Sequence, residues 1–146
     1  MKATDIANNL SWLFLQVSYR SKQTMLKLAD DYDLTMPQLY TLLFMDPKEP
    51  LKMSDVAQLL VCDPSNVTGI IDRLFARELA ARVDKPGDRR VKMVQLTPAG
   101  IKVRNQVIER IIERQPPVFD RLTPDQRQDL TNLLQVLLAP EVAKAN

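Results

Sequence analysis

The sequence predicts a mainly α-helical chain with one small β-hairpin, and three observations carry that expectation. Most of the 146 residues lie in stretches whose apolar positions recur every three or four residues, the period of a helix with one buried stripe. Asp63-Pro64, Thr97-Pro98 and Thr123-Pro124 each place a capping oxygen directly ahead of a proline, and both features favour a helix start. A single region, around "VDKPGDRRVKMVQLTP", has apolar residues in rough alternation on either side of a Pro-Gly pair.

Taken in order, Leu10, Leu13, Phe14, Val17, Met25 and Leu28 form one stripe, so a long first helix is expected from Ile6 to about Asp30. It breaks near "DDYDL". Thr35-Met36-Pro37-Gln38 has the form of a capping box with proline in the first turn, and opens a second helix reaching about Met45. Asp46, Pro47 and Pro50 end it. A short third helix fits Ser54 to Leu60. After "CDPSN" a fourth continues from Pro64 to about Glu78, with Val67, Ile70, Ile71 and Leu74 inward. The 100° step then turns Ser65, Thr68, Gly69, Asp72, Arg73 and Ala76 outward. Strands are expected at about Ala81 to Asp84 and Val91 to Leu96, joined by Lys85-Pro86-Gly87-Asp88 as a type II turn, because only glycine tolerates the positive φ at its third position. A fifth helix runs from Thr97-Pro98 to the stop at "QPP", residues 115 to 117. A sixth, from Thr123-Pro124-Asp125 to near Ala139, carries Leu130, Leu133, Leu134, Leu137 and Leu138 on a broad apolar face.

Composition narrows the chemistry. A hydrophobic share of 45% and a charged share of 26% are globular values. The net charge is only +2, so a nucleic-acid role has to rest on where the cations sit. Between Arg82 and Lys92 five cations meet two acids. One cysteine, Cys62, and no histidine leave no disulfide framework and few soft ligands, so neither a metal nor a cofactor is expected. Among three glycines there is no phosphate loop or nucleophile elbow, and an enzyme using Asp, Tyr or Lys lacks any catalytic grouping. With no secretory leader and no 18-residue apolar run, the expectation is a cytoplasmic protein without a membrane partner.

Two helices joined by a tight turn, the second with a small polar face, followed by a basic hairpin, is the order of a winged helix-turn-helix. A helix fits the major groove of B-DNA, where base edges differ in their donors and acceptors. A narrow minor groove attracts an inserted arginine. The hairpin taken alone would suit a solvated loop equally well, and Asp72 on the outward face is unfavourable toward phosphate, which fits a structural partner in Arg73 or Arg77.

"DPSNVTGIIDRLFAREL", then "DRRVKMVQ" and "LTPAG", resemble the MarR (multiple antibiotic resistance regulator) family of bacterial transcription factors. The resemblance covers nearly the whole chain and is specific from Met53 to Gly100. It implies a homodimer built by terminal helices, here 1–31 and 99–146, with a winged helix-turn-helix lobe at 34–98 that binds a pseudo-palindromic operator in double-stranded DNA. Most such proteins repress transcription and let go of DNA when a small, often phenolic, ligand or an oxidant acts on them. By position, Ser65, Asn66, Thr68, Gly69 and Arg73 fall on the recognition helix, and Asp88-Arg89-Arg90 matches the wing pattern whose second arginine, Arg90, enters the minor groove. Asp88 would orient the basic groups around it, with Arg73 or Arg82 as partner. Gly69 departs from the bulkier, often basic residue many members carry there.

Trp12, Phe14, Tyr19, Tyr40 and Phe44 are candidates for lining a cavity for a small aromatic effector, with simple core packing as the alternative. Cys62 precedes the recognition helix, whose dipole favours thiolate while Asp63 opposes it. The resemblance places oxidant-sensing cysteines in the first helix, where this chain has none. Two other functions stay open on sequence: a winged-helix module for a protein partner, and a Cys62-based redox-responsive regulator.

Overall fold

The computed structural model describes residue 6 and residues 8–85, 87–114 and 116–139, the side chains of Pro64 and Arg89 excepted. Helix α1 spans Leu10–Asp31, and the Trp12 amide donates to Asn9 Oδ1 at 3.1 Å, an N-cap the apolar stripe did not reveal. Helix α2 spans Met36–Phe44; the Thr35 amide donates to Gln38 Oε1 at 2.8 Å, the reciprocal half of the expected capping box. Strand β1, Leu51–Lys52, leads directly into α3, Met53–Leu60. Helix α4 is Pro64–Ala76, β2 is Ala80–Lys85, β3 is Asp88–Leu96 and α5 is Pro98–Glu113. A 3-10 turn at Pro117–Arg121 precedes α6, Pro124–Leu138, whose start is a full capping box between Thr123 and Gln126.

Two expectations change. The hairpin is part of a three-stranded antiparallel sheet in the order β1-β3-β2, with Leu51 opposite Val94 and Lys52 opposite Met93. Two residues are too few to show an alternation, so β1 leaves no periodic trace in the sequence. Helix α4 stops at Ala76, short of Glu78, because Glu78 turns to φ 54° and the Leu79 amide reaches back to the Leu74 carbonyl at 2.9 Å. The type II turn lies partly outside the described residues at Pro86. Gly87 has the positive φ, 83°, that its third position requires.

The chain forms two compact units: Lys22–Arg114, and Met1–Ser21 together with Gln115–Asn146. The first is wider than the 34–98 segment marked out by the sequence, taking in the second half of α1 and all of α5. The buried hydrophobic core lies in it: Leu28 and Ala29 from α1, Leu39 and Leu42 from α2, Val56 from α3, Val67, Ile71 and Leu74 from α4, Val94 and Leu96 from β3, and Val107 from α5. Burying each Leu, Ile or Val side chain contributes about 1.5–3 kcal/mol. The three α4 residues therefore hold the inner face of that helix firmly and leave its outer face free of packing duties.

Gly100 in α5 shows what "LTPAG" does physically. A Cβ there would sit 1.9 Å from the Leu79 carbonyl oxygen, a backbone atom that cannot swing away. Thr97 works beside it: its hydroxyl donates to the Glu78 carbonyl at 2.6 Å and accepts the Gly100 amide at 3.0 Å. Cap and glycine together clamp the start of α5 onto the bend between α4 and β2.

Candidate nucleic-acid interface

Helix α4 presents the face expected of it. Val67, Ile71 and Leu74 are 1% exposed or less, while Ser65, Asn66, Thr68, Gly69, Asp72, Arg73 and Ala76 are all open to solvent. Nothing lies within 4 Å of where a Cβ on Gly69 would point, so packing does not demand glycine there. A glycine inside a helix costs about 1 kcal/mol relative to alanine. At the N-terminus Asp63 Oδ1 accepts the Ser65 amide at 2.8 Å and the Ser65 hydroxyl at 2.6 Å. These bonds, the hydroxyl's first and the amide's second, hold the Asp63 carboxyl below its ordinary pKa. The Ser65 hydroxyl is thereby committed as a donor and keeps only its accepting lone pairs.

The turn between α3 and α4 contains a residue that sequence reasoning missed. Val61 adopts φ 49°, ψ 47° and is 93% exposed. The left-handed region costs an ordinary L-residue about 1–2 kcal/mol, and a β-branched one is a genuine outlier there. Val61 lines an open groove of about 830 Å³ with Met53, Ser54, Ala57, Gln58, Cys62, Asp63 and Thr68. No sequence signal marks a valine for this conformation; glycine or asparagine would have done so.

The wing is an antiparallel ribbon running from the Ala80–Leu96 pair out to Lys85–Asp88, with an irregularity between Asp84 and Lys85. Near its tip Asp88 Oδ1 accepts the Arg90 amide at 3.1 Å and Arg90 Nε at 3.2 Å, while the Arg90 side chain remains 93% exposed. The expected pairing of Asp88 with Arg73 or Arg82 is therefore corrected: two residues along the same strand bring Arg90 within reach, and Arg82 is engaged elsewhere. Arg82 meets Asp72 at 3.6 Å and lies over the Phe75 ring, 5.4 Å from its centroid. This also corrects the expected pairing of Asp72 with Arg73 or Arg77. Arg77 instead donates to the Tyr32 carbonyl at 3.0 Å and to that of Asp33, covering carbonyls left open at the end of α1. Lys92 pairs across the ribbon with Asp84. Each exposed ion pair contributes roughly 0.2–1 kcal/mol, so Arg82 fixes the base of the wing against α4 mainly by geometry. The Arg89 side chain lies outside the described residues. Arg73 borders a shallow pocket of about 380 Å³ with Asp30, Asp33, Thr35, Gln38 and Arg77 among its walls.

Of the effector candidates, Tyr40 and Phe44 stack at 5.7 Å, and Trp12, Phe14 and Tyr19 are exposed on the first half of α1. Cys62 is half-buried and packs against the core. Among the described residues no cluster of three or more His, Cys, Asp or Glu side chains could hold a metal ion, and no helix is long and apolar enough to cross a membrane.

Comparison with known proteins gives this arrangement its relatives. The family model described as "MarR family" matches residues 34–92, from the start of α2 into β3. The uncharacterized HTH-type transcriptional regulator YfiV of Bacillus subtilis is 30% identical over 105 residues, 72% of this chain and 66% of its own length, so the match spans just under two thirds of that relative. Apo MarR from E. coli superposes with a TM-score of 0.79 at 22% identity, covering 89% of this chain and 96% of that one. BpsR of Bordetella bronchiseptica, whose DNA binding is regulated by 6-hydroxynicotinic acid, superposes at 0.70 with 25% identity, covering 92% and 96%. The family-model match over residues 34–92, the relative and the shared winged helix-turn-helix fold together place the chain in the MarR family of transcriptional regulators.

Proposed function

We propose that the chain binds double-stranded DNA as a homodimer, reads a pseudo-palindromic operator with its 34–98 lobes, and acts in the cytoplasm as a repressor released by a small hydroxylated aromatic ligand. The observation that carries this reading is Arg90: a guanidinium almost wholly in solvent, yet braced by Asp88. A pre-oriented arginine loses less freedom on entering a narrow minor groove than a freely moving one. In the adjoining major groove Asn66, Thr68 and Arg73 face base edges or phosphates, and Gly69 lets the helix backbone come close. Ser65, held by Asp63, accepts from a base amino group. Arg89 adds charge toward phosphate. The helices of 1–31 and 99–146 form the dimer, which sets the two recognition helices about one DNA turn apart. Supporting this, Leu10, Leu13, Phe14 and Val17 on α1, and Leu133 and Leu137 on α6, leave apolar surface exposed that a second copy would cover. Tyr40 and Phe44, stacked on α2, contact the effector, for which the regulation of BpsR by a hydroxylated aromatic acid suggests the chemical class. Such a ligand releases DNA only if it prefers a dimer geometry that the operator does not.

The test is a duplex selected from a random pool and titrated by fluorescence anisotropy across salt. Arg90→Ala should weaken binding and reduce the slope of log K against log salt by roughly one. Failure of the wild type to select an inverted repeat would overturn the reading.

A further inference from the structure

We infer that Val61 is a specificity residue of the DNA interface, its methyl groups meeting the 5-methyl of a thymine at the edge of each half-site. The inference rests on the DNA-binding reading above. Val61 contributes nothing to the core, being 93% exposed, and its left-handed backbone is one that glycine or asparagine would adopt more readily. A side chain kept where the fold gains nothing from it, and where the backbone is strained by it, points to a role outside the fold. Its placement agrees, because it lines the same groove as Thr68, one of the outward residues of α4. Base edges in the major groove are nearly all donors and acceptors; the thymine methyl is the apolar group among them, and so the matched partner for an exposed valine.

The experiment uses the full chain and the duplex it selects, with each thymine of a half-site replaced in turn by deoxyuridine, which removes only the methyl. At one thymine per half-site the wild type should lose about fourfold in affinity. Val61→Ala and Val61→Gly should bind the thymine duplex about fourfold more weakly per half-site and be indifferent to that replacement. Val61→Gly should also melt above the wild type, which separates a lost contact from a damaged fold. Identical deoxyuridine penalties in wild type and both variants overturn the inference. Full-strength binding by the Val61 variants, with Arg90→Ala still impaired, overturns it while sparing the DNA reading; a wild type that selects no duplex removes both.

Discussion

The two compact units differ in what they complete by themselves. Lys22–Arg114 closes a core around Leu39, Leu42, Ile71 and Leu74, all without solvent contact. Among the described residues of the other unit none is buried, and Leu10 is 81% and Leu138 82% exposed. Helix α1 carries both conditions in one continuous stripe: Leu28 and Ala29 are buried, while Leu10, Leu13, Phe14 and Val17 are not. Amphipathicity of equal quality therefore says only that a face will be covered. It does not say by which chain.

The largest effect should come from breaking the open unit. In a homodimer Leu133→Glu with Leu137→Glu would place four charges on the covered face, removing burial worth about 1.5–3 kcal/mol per leucine and adding desolvation. Sedimentation should then show monomers whose core of Lys22–Arg114 keeps its amide-exchange protection. Loss of that protection would mean the two units are not independent. The converse break is Gly100→Ala. Overpacking against the Leu79 carbonyl should destabilise the closed unit by about 3 kcal/mol in a denaturant titration, because the obstacle is backbone. An alanine tolerated there without loss would show that the bend between α4 and β2 can give way.

A smaller effect, of opposite sign, is expected at Gly69. Its surroundings are open, so Gly69→Ala should raise stability by about 1 kcal/mol from helix propensity alone. Operator affinity should fall if the backbone needs that space. A rise in both would assign the glycine no part in close approach.

Much of the closed unit was legible because its signals are local. Asp63-Pro64 and Thr97-Pro98 mark helix starts within two residues, and the 3.6-residue stripe of α4 sorted Val67, Ile71 and Leu74 from Ser65, Thr68 and Arg73. What escaped depends on distant or exceptional geometry. β1 exists only because β3 pairs with it, and Asp72 meets Arg82 only because the ribbon folds back over Phe75. Val61 was hidden for another reason: its backbone contradicts its side chain, so propensity pointed away from it. Of the wing, the aspartate and arginine could be named in advance, but not that they would pair with each other.

Helix α4 of the closed unit and α6 of the open one also differ in how they are capped, and this gives the smallest effect. α6 starts from the neutral box of Thr123 and Gln126, whereas α4 starts from the ionised Asp63. Because the Ser65 hydroxyl and amide lower the Asp63 pKa in the folded state, the unfolded chain binds a proton there at higher pH than the folded one. The stabilisation is thus fully present above the ordinary carboxylate value of about 3.9 and is lost as pH falls through the lower, folded value. Asp63→Asn keeps a good N-cap without the charge. The stability difference between wild type and Asp63→Asn should therefore stay flat from pH 7 to about 5 and shrink below about 4, as read from urea titrations at each pH. The same comparison with Thr123→Ser should show no pH dependence. If the Asp63 difference grew in acid instead, the folded chain would hold the proton more tightly than the unfolded one, and the bonds from Ser65 would not be what sets the charge of this cap.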